Sequence, residues 1–470
     1  MGCAVMRRAP GLNETDAERI HDASLALLAD PGVRVEHEAV RSALLGAGAK
    51  PGVSPADVRL PAEMVRDYVA LAPRSVTLTD QRGQGKVLTA TSDPLFWSCP
   101  GLYMWQGGRR RPFTSADMAA VTRLLSRLPN VYGVFGLSLD DVPPGRRDVV
   151  GLNIIAHNTA KHVRVLCFTP AGADALVGMR SVVGDHPWFS IGFTAHGPLR
   201  WTELALEVFR RTAGHGIPVS VNGEPMAGVS GPVTLAGAAA VGNAEILSGI
   251  VINQLLEPGR PCIYNLGLAH VMDMRSAIAV TGGPESHLLA DVSAAMGRFY
   301  SLPSCSWVST EAMCPDGQGA LEKMFGWHAH MLSGVSLVWG IGQLESEMTF
   351  SPAQAVIDDE MICYARRYLR GVPVDEQTLA LDVTRDVGIA GSFLEHEHTL
   401  RHFRSELYMP SLLWRDRWAK WQSEGARTLA QRAEKVASDL MAMPAESGLT
   451  DEQAAELDRL TARFLEQDGA

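Results

Sequence analysis

The sequence predicts an α/β protein built on a TIM (β/α)8 barrel with an N-terminal helical cap, a hairpin region and C-terminal helices. The chain has 470 residues and is 46% hydrophobic, which is enough for one large core with additions. From Thr114 onward, short apolar runs alternate with helical patterns, as in parallel strands joined by crossover helices. A doubly wound sheet is the alternative, but no GxGxxG motif stands between a strand and a helix. Nor does a phosphate-binding GxxxxGK[ST] loop occur.

Four regions follow one another along the chain. We predict a helical cap over 1–74, a β-hairpin region over 75–113, the barrel core over 114–375 and a helical extension over 376–470. In the cap, Asn13 is a good N-terminal residue for a first helix, and Pro31 followed by Gly32 ends it. The hairpin region begins with the alternating segment SVTLTD and a glycine-containing turn.

The barrel core contains seven predicted strands, and the eighth would come from the hairpin region or from a later segment. The predicted strands are 131–137, 163–169, 189–195, 218–222, 261–266, 305–309 and 335–340. Predicted helices lie between them at 147–161, 172–183, 202–214, 232–256, 284–300 and 316–332. Amphipathic tail helices at 429–440 and 451–465 are expected to serve packing or subunit contacts, so we expect a homo-oligomer.

Composition excludes several classes of partner. The formal net charge of −10 argues against nucleic acid, which requires a basic surface. We find neither a signal peptide in MGCAVMRRAP nor an uninterrupted apolar run of membrane-spanning length, so no membrane association is expected. The 7 cysteines are scattered without a CxxC pair, which indicates reduced thiols and a cytoplasmic protein.

In a barrel of this kind, the loops after the strands carry the chemistry. Polar residues at the predicted strand ends include Asn222 and Glu224 after one strand, Glu311 after another and Gln343 after the last. An acid/base site built on Glu224, Glu311 and Asp316 is open on these residues alone. A Ser/His/Asp hydrolase is not favoured because the GxSxG motif is absent.

A zinc site is a second open possibility. His328 and His330 are two residues apart on a predicted helix, so their side chains point in different directions and cannot both bind one ion. Either could be combined with Cys305 or Cys314, but isolated histidines of this kind are usually core or surface residues.

Aromatic residues near the predicted barrel mouth indicate a different chemistry. Trp307 and Trp339 lie on the last two strands, with Trp327 and Phe350 nearby in sequence. An aromatic pocket of low charge suits a quaternary ammonium, which cation–π attraction holds. Packing in the core is the alternative role for each tryptophan taken singly.

Several motifs together resemble the trimethylamine methyltransferase family. The segment 224–265 contains GVSGPVTLAG, NAE and QLLEPG, and further matches are RRPFTSADM, HNTAKH, PDGQGALEK and SPAQAVIDDEM. The resemblance covers nearly the whole chain. It implies a TIM barrel that transfers a methyl group from a methylated amine to the Co(I) of a separate corrinoid protein. The implied cofactor is a corrinoid (cobalamin) carried by that partner, with no tightly bound metal in this chain.

The resemblance also bears on the substrate. Archaeal trimethylamine enzymes of the family place pyrrolysine before an Asp-x-Gln motif, which is Asp316-Gly317-Gln318 here, and Met313 stands at the matching position. Members without pyrrolysine resemble demethylases of glycine betaine, proline betaine or carnitine. We therefore expect a small quaternary amine in a pocket formed by Trp307, Glu311, Met313, Gln343, Asn222, Glu224 and Trp339. The alternatives are a trimethylamine enzyme, a zinc-dependent methyltransferase and a non-catalytic barrel that binds a betaine or a corrinoid partner.

Overall fold

A closed barrel of eight parallel strands forms the centre of the molecule in a computed structural model, which describes residues 11–167 and 169–466. The strands, in order around the barrel, are β1 (Leu95–Ser98), β2 (Val131–Phe135), β3 (His162–Arg164), β4 (Phe189–Thr194), β5 (Val219–Asn222), β6 (Cys262–Gly267), β7 (Ser304–Trp307) and β8 (Leu337–Ile341). β8 pairs with β1 and closes the barrel. The predicted fold class is confirmed. The N-terminal segment inspected for a signal peptide, with Cys3, lies outside the described residues.

One helix follows each strand and packs on the outside of the barrel. These are α1 (Ser115–Arg127), α2 (Arg147–Asn158), α3 (Pro170–Val183), α4 (Glu203–Arg211), α5 (Leu235–Leu256), α6 (Pro284–Tyr300), α7 (Gly317–Ser333) and α8 (Pro352–Leu369). Most begin where the sequence supplies a capping side chain. Thr114 forms a capping box with Asp117 at the start of α1, and Asp316 accepts hydrogen bonds from two backbone N–H groups at the start of α7.

The first barrel strand comes from the stretch that the sequence assigned to hairpins. Leu95–Ser98 pairs with β2 and β8 and is entirely buried, so the barrel begins before residue 114. The sequence did not identify this strand as part of the strand-and-helix repeat, because no helix immediately precedes it. A two-stranded hairpin does precede it, Ser75–Thr79 with Gly85–Thr89.

That hairpin closes the N-terminal end of the barrel. Its apolar residues Val76, Leu78 and Leu88 pack with residues of the barrel interior. Hydrogen bonds fix it there, including one from Tyr132 to the carbonyl of Leu78. A second hairpin, Tyr103–Gln106 with Arg109–Pro112, joins Gln343–Leu344 and Thr349–Phe350 in a sheet at the opposite end. In the part of the chain that the structure describes, the C-terminal side of the barrel, where active sites of this fold lie, is therefore the end that the first hairpin leaves uncovered.

The N-terminal region packs along the outer wall of the barrel. Its helices, Glu14–Ala29, Glu38–Gly46 and Ala62–Leu71, lie against α5. Its strands Val33–Val35, Lys50–Pro51 and Asp57–Arg59 form a small sheet with Arg200–Trp201. Another small sheet at the mouth contains Met226–Ala227, His270–Asp273 and Ile278–Val280, and Pro144–Arg146 is a 3-10 turn.

The C-terminal region returns to the barrel after an exposed excursion. Short helices Glu376–Leu379, Leu381–Val387, Glu397–Glu406 and Trp418–Ser423 precede the two longer ones, Leu429–Ala442 and Asp451–Glu466. Leu429–Ala442 packs on α8 and α1, and Asp451–Glu466 packs on α3 and α2. Among the described residues, α5 alone combines the length and apolar composition of a bilayer-crossing helix, and most of it is buried inside the protein.

Candidate active site

Aromatic side chains line one half of the barrel interior. Alternate residues of each strand point inward, and on β1, β2, β7 and β8 these include Trp97, Phe135, Trp307 and Trp339. Trp97 and Trp339 stack with ring centroids 6.4 Å apart, and Phe135 meets Trp339 edge-on at 5.1 Å. Trp307 pairs in register with Trp339, so the two indoles lie at the same height in the barrel. Their Nε1 donors are buried and have no partner among the described residues.

Polar side chains line the other half. Thr194, Asn222 and Asn265 occupy matching positions on β4, β5 and β6. Asn265 donates to Asn222 at 2.9 Å, and Asn222 donates to Thr194 at 3.0 Å. Thr194 is only half-buried, although its hydroxyl meets Asn222 inside the barrel. We call the barrel interior that the aromatic and polar halves line the chamber.

Arg164 brings a positive charge into the chamber from β3. Its guanidinium passes over Gly192, where a Cβ atom would lie 1.8 Å from Nη2, and reaches the Ser220 hydroxyl at 3.5 Å. Its carbon lies 5.1 Å from the centre of the Phe135 ring and 5.8 Å from that of Trp339. Burial lowers the pKa of Arg164 to about 10, so the side chain stays charged at neutral pH.

Two glutamates bring negative charge to the mouth. Glu224 follows β5 and Glu347 follows β8, and both are half-buried. Burial raises the pKa of Glu224 to about 7. Burial and, secondarily, the charge of Glu224 raise the pKa of Glu347 to about 8. The charge of Glu224 therefore opposes ionisation of Glu347, and a bound cation would favour the ionised form of both buried carboxylates.

Backbone geometry aims Glu347 at the mouth. The φ angles of Glu345, Ser346 and Glu347 are 54°, 47° and 81°. Residues other than glycine rarely adopt this left-handed backbone conformation. The amide of Gln343, oriented to satisfy both its ends, accepts the Glu347 N–H at 2.9 Å and donates to Val308 at 3.2 Å. Strain of this kind costs about 1 kcal/mol or more per residue and is typical of functional sites.

A third buried glutamate supports the loop after β4. Glu245 of α5 accepts the Leu199 N–H at 2.9 Å, while its second oxygen has no partner among the described residues. Burial raises the pKa of Glu245 to about 7, and the charge of Glu224 adds to the increase. Glu245 belongs to the NAE motif, so one motif residue acts at the edge of the chamber.

The sequence predicted seven pocket residues, and the structure brings four of them to the chamber. Trp307, Trp339 and Asn222 line its interior, and Glu224 stands at its mouth. Gln343 is completely buried in the network that positions Glu347.

The loop from Thr310 to Asp316 is occupied by its own hydrogen bonds. Glu311 accepts the N–H groups of Thr281 and Gly282 at 2.6 and 3.0 Å and the Thr281 hydroxyl at 2.8 Å. Its carboxylate therefore holds the neighbouring loop, and it also accepts the Ser346 hydroxyl at 3.2 Å. Met313 is 62% exposed in the loop after β7, at the rim of the mouth.

Of the other predicted groups, Trp327 and His330 lie outside the barrel on α7, whereas Cys305 lies in the interior cluster with Trp307. Trp327 packs on the outer side of the barrel against Phe96, and Cys305 is a buried thiol whose pKa burial raises. His330 is buried and donates from Nδ1 to the Gly326 carbonyl, 2.8 Å away. Within residues 11–167 and 169–466, no group of three His, Cys, Asp or Glu side chains is arranged to hold a metal ion.

Two residues of the site were missed in the sequence. Arg164 is a charged residue at an inward position of an otherwise apolar strand, and that pattern could have identified it. Glu347 comes four residues after Gln343, and no sequence signal separates it from Glu345 in the same loop.

Exposed apolar side chains surround the mouth. They come from the loops after β1, β5, β6, β7 and β8 and are Leu102, Val229, Val233, Met274, Ile278, Met313 and Met348. Exposed apolar groups concentrated around one opening are typical of a surface that another molecule covers.

Comparison with known proteins agrees with this geometry. A family model described as trimethylamine methyltransferase (MTTB) matches residues 5–467. The trimethylamine methyltransferase MttB of Methanosarcina barkeri is 30% identical over 473 residues, covering 96% of this chain and 94% of that protein. A glycine betaine methyltransferase of Desulfitobacterium hafniense is 29% identical over 471 residues, covering 96% of both chains. The monomethylamine methyltransferase structure from Methanosarcina barkeri aligns with a TM-score of 0.54 at 13% identity, covering 98% of this chain and 89% of that chain.

Proposed function

Because the chain belongs to the trimethylamine methyltransferase family, we propose that it transfers a methyl group from a quaternary amine to the Co(I) of a partner corrinoid protein. Glycine betaine or a related betaine is the proposed methyl donor. The relative named as a glycine betaine methyltransferase supports this choice. So does the sequence, which has Met313 where the trimethylamine enzymes that it resembles carry pyrrolysine.

The observation that carries the proposal is the pair Glu224 and Glu347 at the mouth of an aromatic chamber. Burial raises the pKa of both carboxyls, and the charge of Glu224 raises that of Glu347 further, so a nearby cation would favour their ionised forms. A quaternary ammonium is such a cation, and it also gains cation–π attraction from the Trp307 and Trp339 indoles. Neither the carboxylates nor the indoles need to donate a hydrogen bond to the ammonium, because a quaternary nitrogen cannot accept one.

The chemistry assigns the chain a holding role. A quaternary amine leaves as a neutral tertiary amine, so no residue must supply a proton at the leaving nitrogen. The corrinoid partner, when bound, supplies the nucleophile. Glu224 and Glu347 retain the ammonium, and the aromatic walls keep water away from it. Orienting one N-methyl group toward the mouth is the contribution that remains for the protein.

The surroundings of the mouth fit the proposed partner. The ring of exposed apolar residues, Met274 and Met313 among them, would be covered by a docked corrinoid protein. Since the N-terminal end is closed by a hairpin, this mouth gives the only approach to the chamber within the described residues. We also infer a cytoplasmic protein from the six described cysteines, all of which are free, and a homo-oligomer from the apolar groups exposed elsewhere.

The test is a methyl-transfer assay with purified protein, Co(I) corrinoid protein and a panel of methylated amines. We expect glycine betaine or another betaine to methylate the corrinoid, which is followed by its absorption spectrum. Turnover of trimethylamine with failure of every quaternary amine would overturn the substrate assignment. Tight betaine binding without methyl transfer to any corrinoid protein would favour the non-catalytic binding barrel instead.

A further inference from the structure

Arg164 is a buried cation without an anionic partner among the described residues. Apart from the Ser220 hydroxyl, its guanidinium donates only to the carbonyl of Val165, and its Nε–H has no partner among the described residues. Within residues 11–167 and 169–466 it forms no ion pair. The ionisable groups that act on it are the thiols of Cys167 and Cys305, which burial keeps neutral.

A second buried arginine shows how unusual this is for the chain. Arg260, on the outer side of the barrel, is equally buried but donates to Ile217 at 3.0 Å and Thr212 at 3.1 Å, with Glu257 at 3.5 Å. Buried charges in proteins are normally paired in this way, because desolvation costs several kcal/mol per ion. Arg164 bears that cost without a partner, which indicates that its partner arrives with a ligand.

The position of Arg164 defines the polarity of the chamber. It lies inside the barrel beside Trp339, whose Nε1–H is also unpaired, so donors predominate at the floor. Glu224 and Glu347 stand at the mouth, where acceptors predominate. Between the two ends, Gly192 and Thr194 of β4 are half-buried. A molecule that is negative at its inner end and positive at its outer end fits this polarity.

We propose that Arg164 binds a carboxylate of the methyl donor, so that the chamber selects zwitterionic betaines over quaternary amines that lack an anionic group. The inference rests on the proposed function and deepens it. With the carboxylate on the guanidinium, the ammonium faces Glu224 and Glu347 and its methyl groups face the open mouth. This is the orientation that a corrinoid approaching from the mouth requires. The planar fork of arginine matches a carboxylate in two-point geometry.

Calorimetric titration without any corrinoid protein tests the inference separately from methyl transfer. The ligands are glycine betaine, γ-butyrobetaine, choline and tetramethylammonium. We expect the unmodified protein to bind at least one betaine more tightly than both simple cations. In Arg164→Gln, betaine affinity should fall by about 30- to 100-fold, the value of a lost charge-assisted contact, while choline affinity changes by less than about 3-fold. Arg164→Lys, which keeps the charge but not the fork, should lie between the two.

Several outcomes would overturn the inference. One is choline binding as tightly as every betaine, and another is an equal loss of choline and betaine affinity in Arg164→Gln. Absence of binding by all four ligands overturns both this inference and the proposed function. Selective betaine binding that Arg164→Gln abolishes, without methyl transfer to any corrinoid protein, supports the inference and overturns the proposed function.

Thermal unfolding of the free protein separates a ligand-binding role from a structural one. Because Arg164 is unpaired in the absence of ligand, Arg164→Gln should leave the melting temperature unchanged or raise it. The matched variant Arg260→Gln removes a fully bonded arginine and should lower it. If Arg164→Gln unfolds as Arg260→Gln does, Arg164 is a structural residue, and the betaine affinity of Arg164→Lys then decides whether it also binds ligand. Loss of choline and betaine binding alike in Arg164→Lys would complete the refutation.

Discussion

Lys323 of α7 and Asp358 of α8 form an ion pair with 2.6 Å between Nζ and Oδ2, and neither side chain is exposed at all. Lys323 also donates to the carbonyls of Gly340 and Gln343, at 2.8 and 3.1 Å. Asp358 accepts the N–H of Gly342 at 2.8 Å. The pair therefore fixes the end of β8, from which the Glu347 loop departs. Both residues belong to motifs of the family, PDGQGALEK and SPAQAVIDDEM, although neither reaches the chamber.

Removing one member of this pair should destabilise the protein strongly. Lys323→Met leaves the Asp358 carboxylate buried without its counter-ion, at an expected cost of about 3–5 kcal/mol in the free energy of unfolding. Chemical denaturation measures the change. The control is Lys420→Met, which breaks an exposed pair with Asp416 and should cost less than about 1 kcal/mol. Equal losses in the two variants would show that burial of the first pair has no special weight.

The two mouth glutamates should control affinity for the cationic substrate. Glu224→Gln and Glu347→Gln each remove one negative charge from the mouth, and each should weaken quaternary-amine binding by about tenfold or more. The measurement is a binding titration without corrinoid. Glu456→Gln on the exposed tail helix is the control and should bind normally. Retention of full affinity when both mouth glutamates are replaced would contradict the proposed cation site.

Substrate affinity should also rise with pH. Because the pKa values of Glu224 and Glu347 are about 7 and about 8, both carboxyls are largely protonated at pH 6 and largely ionised at pH 9. Binding of tetramethylammonium, which does not titrate, should therefore strengthen across this range. The double variant Glu224→Gln, Glu347→Gln should show a flat profile, and a slope that persisted in it would assign the effect to other groups.

Protein stability should change with pH in the opposite direction. The folded-state pKa of each mouth glutamate is raised above its ordinary value of 4.5, so the folded protein holds these protons more tightly than the unfolded chain. Stability is therefore lost as pH rises from about 4.5 through the folded pKa. At pH 8.5, Glu347→Gln should unfold with about 4–5 kcal/mol more free energy than the unmodified protein, and at pH 4 the difference should vanish. A constant difference at both pH values would rule out ionisation as the cause.

Charges placed on the apolar rim should weaken binding of the corrinoid partner without weakening binding of the betaine. Met313→Lys or Met274→Lys puts a charge among apolar residues that the partner is proposed to cover, which should raise the KM for the corrinoid protein by about tenfold. Betaine affinity should be unchanged, since neither side chain lines the chamber. Val87→Lys is the matched control, because Val87 is 56% exposed on the hairpin at the opposite end of the barrel. Equal effects of Val87→Lys and Met313→Lys would remove the rim as the docking surface.

Much of the fold was predictable because helices and strands leave local patterns of apolar residues in the sequence. The predicted helix 284–300 coincides with α6, and the predicted strand 189–195 differs from β4 by one residue. Alternation of strands and helices over many units predicted the barrel, since parallel strands joined by right-handed crossovers have few other arrangements. The strand Leu95–Ser98 falls in the predicted hairpin region because a hairpin, and not a helix, immediately precedes it, so the alternation of strands and helices does not extend to it.

The sequence by itself determined the family, the barrel and the residue types at the ends of its strands, including Asn222, Glu224, Trp307 and Trp339. Those are local properties of the chain. Only the tertiary structure decided which of these groups are available to a ligand. The sequence cannot show whether a carboxylate already accepts hydrogen bonds from another part of the chain. Glu311 accepts hydrogen bonds from the Thr281 loop. Glu224 and Glu347 are more than a hundred positions apart in sequence, yet the charge of Glu224 acts on Glu347 at the mouth. The same holds for Arg164. Its lack of an anionic partner among the described residues depends on which side chains the other strands direct into the barrel, and the sequence does not show that.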